Sequence, residues 1–215
     1  MLSYDISQSP PSTVIVEVGT ALEDTVEYGN LKLHIDPHFN PTNNVRIYGT
    51  VIALPAGIPK NEYGDEIEPE LKVGDKVYFH YLSINDETNN IYGNYYKVPY
   101  YWIFCAVRNN DILPIGSWTL CSTIVEETYN GIDVNGKKVD AELSASGLVV
   151  GLKKKPSVKT ARLEHIGSPF RGKDKLPVSK GDLVVLNKNS NFVNKIEGKN
   201  YYTLKQEDIL GKKCV

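Results

Sequence analysis

His34, Asp36 and His38 stand at alternate positions in the stretch HIDPHFN. On an extended strand this spacing turns all three side chains to one side, where two imidazoles and a carboxylate could hold a divalent metal; in a polar loop the same residues are solvated groups. No cysteine and no separated third imidazole accompanies them, so a closed zinc site is not expected and no metal is assigned. His80 lies inside VYFHYL, where alternation places it on one strand face with Tyr78 and Leu82, and it reads as a packed or surface histidine. The three cysteines, Cys105, Cys121 and Cys214, are odd in number and lack CxxC spacing, which argues against a disulfide framework. Cys105 in WIFCAV and Cys121 in WTLCST read as core residues, and Cys214 as a free terminal thiol. A nucleophile needs a base and an orienting group, and the serines sit in loops without a Gly-x-Ser-x-Gly elbow. With no glycine-rich phosphate motif either, no catalytic residue and no cofactor is expected, and the chain does not read as an enzyme.

Two short stretches look suited to contact rather than chemistry. Leu148, Val149 and Val150 form an apolar cluster between DAELSAS and KKKP, either a strand of the fold or a loop that offers its side chains to another protein. The basic run Lys153, Lys154, Lys155 and Lys159, with Arg162 beyond, either touches phosphates or keeps the apolar tip soluble and steers it toward an acidic surface. The whole chain favours neither nucleic acid nor membrane. Its 215 residues carry 24 Lys and Arg against 26 Asp and Glu, a net charge of -2, with 41% hydrophobic residues. The first residues lack a signal-peptide pattern and no apolar run approaches the length of a membrane span, so a cytoplasmic setting is expected, that of the host if the source is viral.

These groups must be positioned by strands. β-Branched and aromatic runs such as STVIVEV, NVRIYGTVIALP, DKVYFHYL and YYKVPYYWIFCAV alternate between turn residues, and helical periodicity is nearly absent. Fourteen tyrosines suit half-exposed strand faces. The order of punctuation repeats: Gly74 and Asp75 recur as Gly181 and Asp182 at a spacing of 107. Asp111, Ile112 and Leu113 recur as Asp208, Ile209 and Leu210 at a spacing of 97, and the difference is expected to lie in a longer hairpin over residues 82–101. The expected fold is all-β, two tandem barrel modules over residues 11–116 and 117–215. Each Gly-Asp opens a strand at fixed register, and each Asp-Ile-Leu caps a turn and docks two apolar side chains.

Read twice, this order resembles the co-chaperonin family, the GroES-like rings that cap a chaperonin cylinder. VSKGDLVVLNKNSNFVNKIEGKNYYTLKQEDILG resembles the family's closing pattern, LKVGDKVYFHY and RNNDILPI offer a first copy, and GTVIALP and TARLEHIG resemble its return strand. The resemblance implies two tandem GroES-like β-barrel modules, each with a long partner-binding loop after its first strand. In the second module that loop falls near 140–157, with Gly147, Leu148, Val149 and Val150 at its tip. In the first it falls near 28–44, with Leu31 and Leu33 as the apolar residues and Lys32 interrupting them. The implied partner is an ATP-dependent chaperonin that binds the nucleotide itself. Because ordering a loop costs about 1–2 kcal/mol per residue, one module binds weakly and a homo-oligomeric ring supplies avidity. The alternative is a non-enzymatic ring-forming structural or virion assembly protein that keeps the barrel without chaperonin binding. Zinc-dependent alcohol dehydrogenases share the barrel, but need a dinucleotide-binding half for which the chain has neither fingerprint nor room.

Overall fold

The computed structural model describes residues 9–21, 25–28, 31–34, 45–61, 63–126, 132–134, 137–139, 141–143, 149–152, 155–168, 176–187 and 192–213, with only the backbone for 26–28 and 125–159. The protein is all-β, as its alternating runs imply, and it divides into two compact units. The first is Met1–Thr119 with His165–Leu176, the second Leu120–Glu164 with Pro177–Val215.

The strands around the first unit are β1 (Thr13–Glu17), β2 (Thr25–Tyr28), β3 (Leu31–His34), β4 (Tyr48–Ala53), β5 (Lys76–Phe79), β6 (Asn90–Tyr92), β7 (Tyr95–Pro99), β8 (Ile103–Arg108) and β9 (Asp111–Pro114). Seven of them form one sheet in the order β6-β7-β1-β4-β5-β8-β9, and β2 with β3 forms a separate hairpin. Alternate residues of β1, Val14 and Val16, turn inward with Val18, Val51, Val77, Phe79, Val98 and Ile103 to make the core. One four-residue helix, α1 (Leu82–Asn85), follows β5.

Around the second unit come β10 (Trp118–Glu126), β11 (Ile132–Val134), β12 (Lys137–Val139), β13 (Ala141–Leu143), β14 (Val149–Leu152), β15 (Lys155–Ile166), β16 (Leu183–Leu186), β17 (Val193–Ile196), β18 (Lys199–Lys205) and β19 (Ile209–Lys212). Six of these run β17-β18-β10-β15-β16-β19, while β11 with β12 and β13 with β14 are separate hairpins. Leu120, Leu163, Val184, Leu186, Ile196, Leu204 and Ile209 are buried.

Strand for strand, β6-β7-β1-β4-β5-β8 of the first sheet recurs as β17-β18-β10-β15-β16-β19 of the second. The agreement reaches single residues. Phe79 pairs with Ile103 after a bulge at Tyr78/Phe79, and Leu186 pairs with Ile209 after a bulge at Val185/Leu186. Equivalent positions are thus 107 apart on β5 and β16, and 106 apart on β8 and β19.

This register corrects one reading of the sequence. Asp208, Ile209 and Leu210 correspond to Trp102, Ile103 and Phe104, where a 3₁₀ turn (Tyr100–Trp102 or Gln206–Asp208) feeds the last paired strand. Asp111, Ile112 and Leu113 instead open β9, an additional strand reached through Asn109 and Asn110, both left-handed at φ 53° and 67°. The spacing of 97 therefore joins non-equivalent positions, and the hairpin over 82–101 differs in length from its counterpart by about one residue, not ten. The length differences lie elsewhere: β4 and β15 are 112 apart, Tyr48 matching Thr160, and a shorter excursion before Gly181 restores 107.

The two Gly-Asp turns are alike atom by atom. Gly74 and Gly181 sit at φ +90° and +93°, a region that favours glycine. Their N–H groups donate to Val51 O (2.8 Å) and Leu163 O (2.7 Å), and Asp75 and Asp182 N–H groups donate to Lys72 O and Ser179 O. Each aspartate also accepts at Oδ2 from the backbone three residues earlier, Lys72 N at 2.8 Å and Ser179 N at 2.9 Å.

Candidate partner-binding hairpins

In both units the chain between the first strand and its return strand builds hairpins that take no part in the main sheet. In the first, β2 and β3 pair antiparallel, with Val26 opposite Leu33, Glu27 opposite Lys32 and Tyr28 opposite Leu31. Strand periodicity puts Leu31 and Leu33 on one face and Lys32 on the other, so the lysine does not interrupt the apolar pair. Leu31 is 66% exposed and Leu33 49% exposed, unusual for leucines. Their isolation from the sheet explains it: a two-stranded ribbon has no second layer to bury its apolar face.

In the second unit, Val149 and Val150 open β14, which pairs with β13 through Ala141↔Leu152, Glu142↔Gly151 and Leu143↔Val149. The alternatives left by the sequence, sheet strand or exposed loop, are both incomplete: these valines lie on a strand, but one outside the six-stranded sheet. Gly147 and Leu148 lie outside the described residues, as do Asp36, His38, Lys153, Lys154 and Cys214. His34 is exposed on β3. Among the described residues no group of three His, Cys, Asp or Glu side chains could hold a metal ion.

Other residues singled out in the sequence have structural surroundings. β5 ends at Phe79, so His80 does not share a strand face with Leu82, which begins α1. His80 stacks on Tyr81 (4.6 Å between centroids), lies against Trp102 and Phe104, and accepts at Nδ1 from Leu82 N at 3.3 Å. Burial holds its pKa below the ordinary imidazole value. Cys105 and Cys121 are buried, and burial, with the nearby Glu164 carboxylate, pushes the Cys121 thiol up to about 12, far from a thiolate nucleophile. Arg162 donates from Nη1 to Gly181 O at 2.9 Å, which uses it on the Gly-Asp turn.

The excursion before Gly74 carries features the sequence reading missed. Asn61, buried, accepts at Oδ1 from Tyr63 N and Asp65 N and donates from Nδ2 to Asp65 Oδ2, locking a tight tip that leaves Tyr63 75% exposed. The spacing Asn-x-x-Gly-Asp was the available signal, since asparagine caps such turns. The base of the excursion is pinned by Tyr100, whose hydroxyl accepts from Glu70 N (2.8 Å) and Leu71 N (3.2 Å); burial raises this phenol to about 12. Nearby Glu70 accepts from Gly116 N and Ser168 Oγ, so the polar groups lining the adjoining cleft of about 420 Å³ hold the unit together.

An all-β module with a freestanding hairpin between its first and return strands holds that hairpin apart from the main sheet. Residues 132–213 match the family model of the Chaperonin 10 Kd subunit. This segment is similar to that family; residues 11–116 lie outside the match and share its neighbour's strand order. No curated protein matches the chain. No helix among the described residues is long and apolar enough to cross a membrane.

Proposed function

We propose that this protein is a co-chaperonin that caps a chaperonin folding chamber through apolar hairpin tips and assists folding by confinement, with no bond chemistry of its own. The observation that carries this reading is the match of residues 132–213 to the Chaperonin 10 Kd subunit, because that segment contains the loop with Gly147 to Val150. Support from the first unit is the exposed pair Leu31 and Leu33 on an equivalent, freestanding hairpin. The partner is a chaperonin that binds and hydrolyses the ATP; this chain works as a homo-oligomeric ring in the cytoplasm, and both modules present a tip. Weak single contacts multiplied around a ring give useful avidity and still allow release.

Co-sedimentation with chaperonin, in nucleotide-free buffer and with ATP or ADP, tests the reading. Nucleotide-dependent capture supports it. A chain that assembles but is never captured in any nucleotide state supports the alternative, a ring-forming structural or virion assembly protein.

A further inference from the structure

The cleft beside the excursion base in the first unit has apolar walls. Leu113 and Pro114 come from β9, Ile115 follows them, and Ile166 comes from the end of β15. Leu113 is 37% exposed, so the apolar surface is open at that side. A cleft of about 420 Å³ with such walls and a few polar groups has the make-up of a binding pocket.

The polar groups set the sign of the ligand. Arg108 is committed to Asp75 by its two-pronged pair, and Glu70, which lines the cleft with it, leaves one negative charge in excess. The same field reaches Tyr100, whose phenol is raised to about 12 first by burial and then, in the same direction, by the charges of Glu70 and Asp75. The stretch 57–70 adds to it, with five carboxylates against Lys60. Geometry narrows the cation further. Glu70 Oε2 already accepts from Gly116 N at 2.7 Å and Oε1 from Ser168 Oγ at 2.8 Å, so each oxygen retains one lone pair. That suits the point charge of an ammonium better than the two-pronged fork of a guanidinium. An ammonium on an aliphatic stem also matches the walls, since its methylenes bury against apolar surface. β9 is the edge strand of its sheet, so an extended chain can lie beside the cleft.

We propose that this cleft receives a lysine side chain from an extended segment of another polypeptide, with its methylenes against Leu113, Ile115 and Ile166 and its ammonium on Glu70. The contact stands apart from the co-chaperonin reading and is tested without chaperonin or nucleotide.

The probe is a capped pentapeptide with one lysine between valines, titrated into the full chain and read by the methyl NMR shifts of Leu113, Ile115 and Ile166. Saturable shifts at these three residues are expected, with an affinity that falls as salt rises. Peptides with acetyl-lysine or arginine in place of the lysine should bind about tenfold more weakly or worse, as should the lysine peptide to Glu70→Gln. Because Glu70 also holds Gly116 and Ser168, a second variant keeps the test independent of folding. Leu113→Lys, at a partly exposed edge position, sets an ammonium of the chain's own at the cleft and should abolish binding with the strand spectrum unchanged. An acetyl-lysine peptide that binds as well, shifts that never saturate at millimolar peptide, or undiminished binding to Leu113→Lys overturns the inference. Tighter binding after Lys173→Ala and Lys175→Ala would show the chain's own lysines competing for the cleft, and would overturn the contact between two polypeptides.

Discussion

Arg108 closes on the carboxylate of Asp75 with two hydrogen bonds, Nε to Oδ1 at 2.9 Å and Nη2 to Oδ2 at 2.6 Å. The same guanidinium donates from Nη2 to Glu70 O at 3.0 Å, so one side chain ties the Gly-Asp turn, the last core strand and the excursion base together. In the second unit a lysine takes the role: Lys212 Nζ lies 2.7 Å from Asp182 Oδ1, in a more exposed setting. Burial acts to raise the Asp75 pKa, but the hydrogen bonds from Arg108 and Lys72 and the arginine charge outweigh it and leave it below the ordinary value. A depressed carboxylate stabilises the fold above its unfolded pKa, and that stability is lost as pH falls through the folded value. Asp75→Asn should destabilise the first unit by about 2 kcal/mol at neutral pH. As pH falls through the lowered folded value, where the wild-type carboxylate also protonates, the difference should shrink. Tryptophan fluorescence in urea reads this directly, since Trp102 and Trp118 both belong to the first unit.

His80 gives a second pH dependence of the same sign by a different route. Its burial against Tyr81, Trp102 and Phe104 favours the neutral ring, and the acceptor role of Nδ1 requires it unprotonated. A histidine with a lowered folded pKa contributes no penalty above its unfolded value near 6.5. Stability declines as pH falls below that value and levels off below the folded pKa. Proton NMR should find the His80 Cε1–H titrating below 6.5, and His80→Phe should flatten the loss of stability as pH falls below 6.5. A His80 midpoint above 6.5 contradicts the packing described.

Glycines test the correspondence of the two sheets. Gly74 and Gly181 face open space, so Gly74→Ala and Gly181→Ala carry backbone strain alone, about 1–2 kcal/mol each. Gly49 is different, for a Cβ there would lie 2.5 Å from both Glu17 O and Val16 Cγ1, and its counterpart in the register is Ala161. Gly49→Ala should destabilise by about 1–3 kcal/mol through displacement of β1, while Ala161→Gly should change stability by about 1 kcal/mol or less. Urea midpoints at constant slope distinguish the two.

The strands were legible because alternation and turn residues act locally, and the Gly-Asp marks were legible because positive φ demands glycine. The mismatch of the two Asp-Ile-Leu tripeptides was not, since identical letters end a 3₁₀ turn and begin β19 at 208–210 but open an added edge strand at 111–113. What distinguishes them is hydrogen-bonded register, which no short motif encodes. The aromatic run YYKVPYYWIF was read as one strand. Pro99 ends β7 there, and the following turn swings Tyr100 into the core. Of the binding residues, Leu31 and Leu33 read as interrupted by Lys32 until cross-strand pairing placed them on one face.

The most direct test of the co-chaperonin reading is nucleotide-dependent chaperonin affinity in two variants, one with Leu148, Val149 and Val150 changed to Ser and one with Leu31 and Leu33 changed to Ser. Removing three apolar contacts per chain, each worth about 1 kcal/mol or more when buried, should weaken capture by the first variant at least a hundredfold, with a smaller loss for the second. Assembly mass should be unchanged in both. Full-strength capture by the first variant, with its fold and assembly intact, would contradict the account.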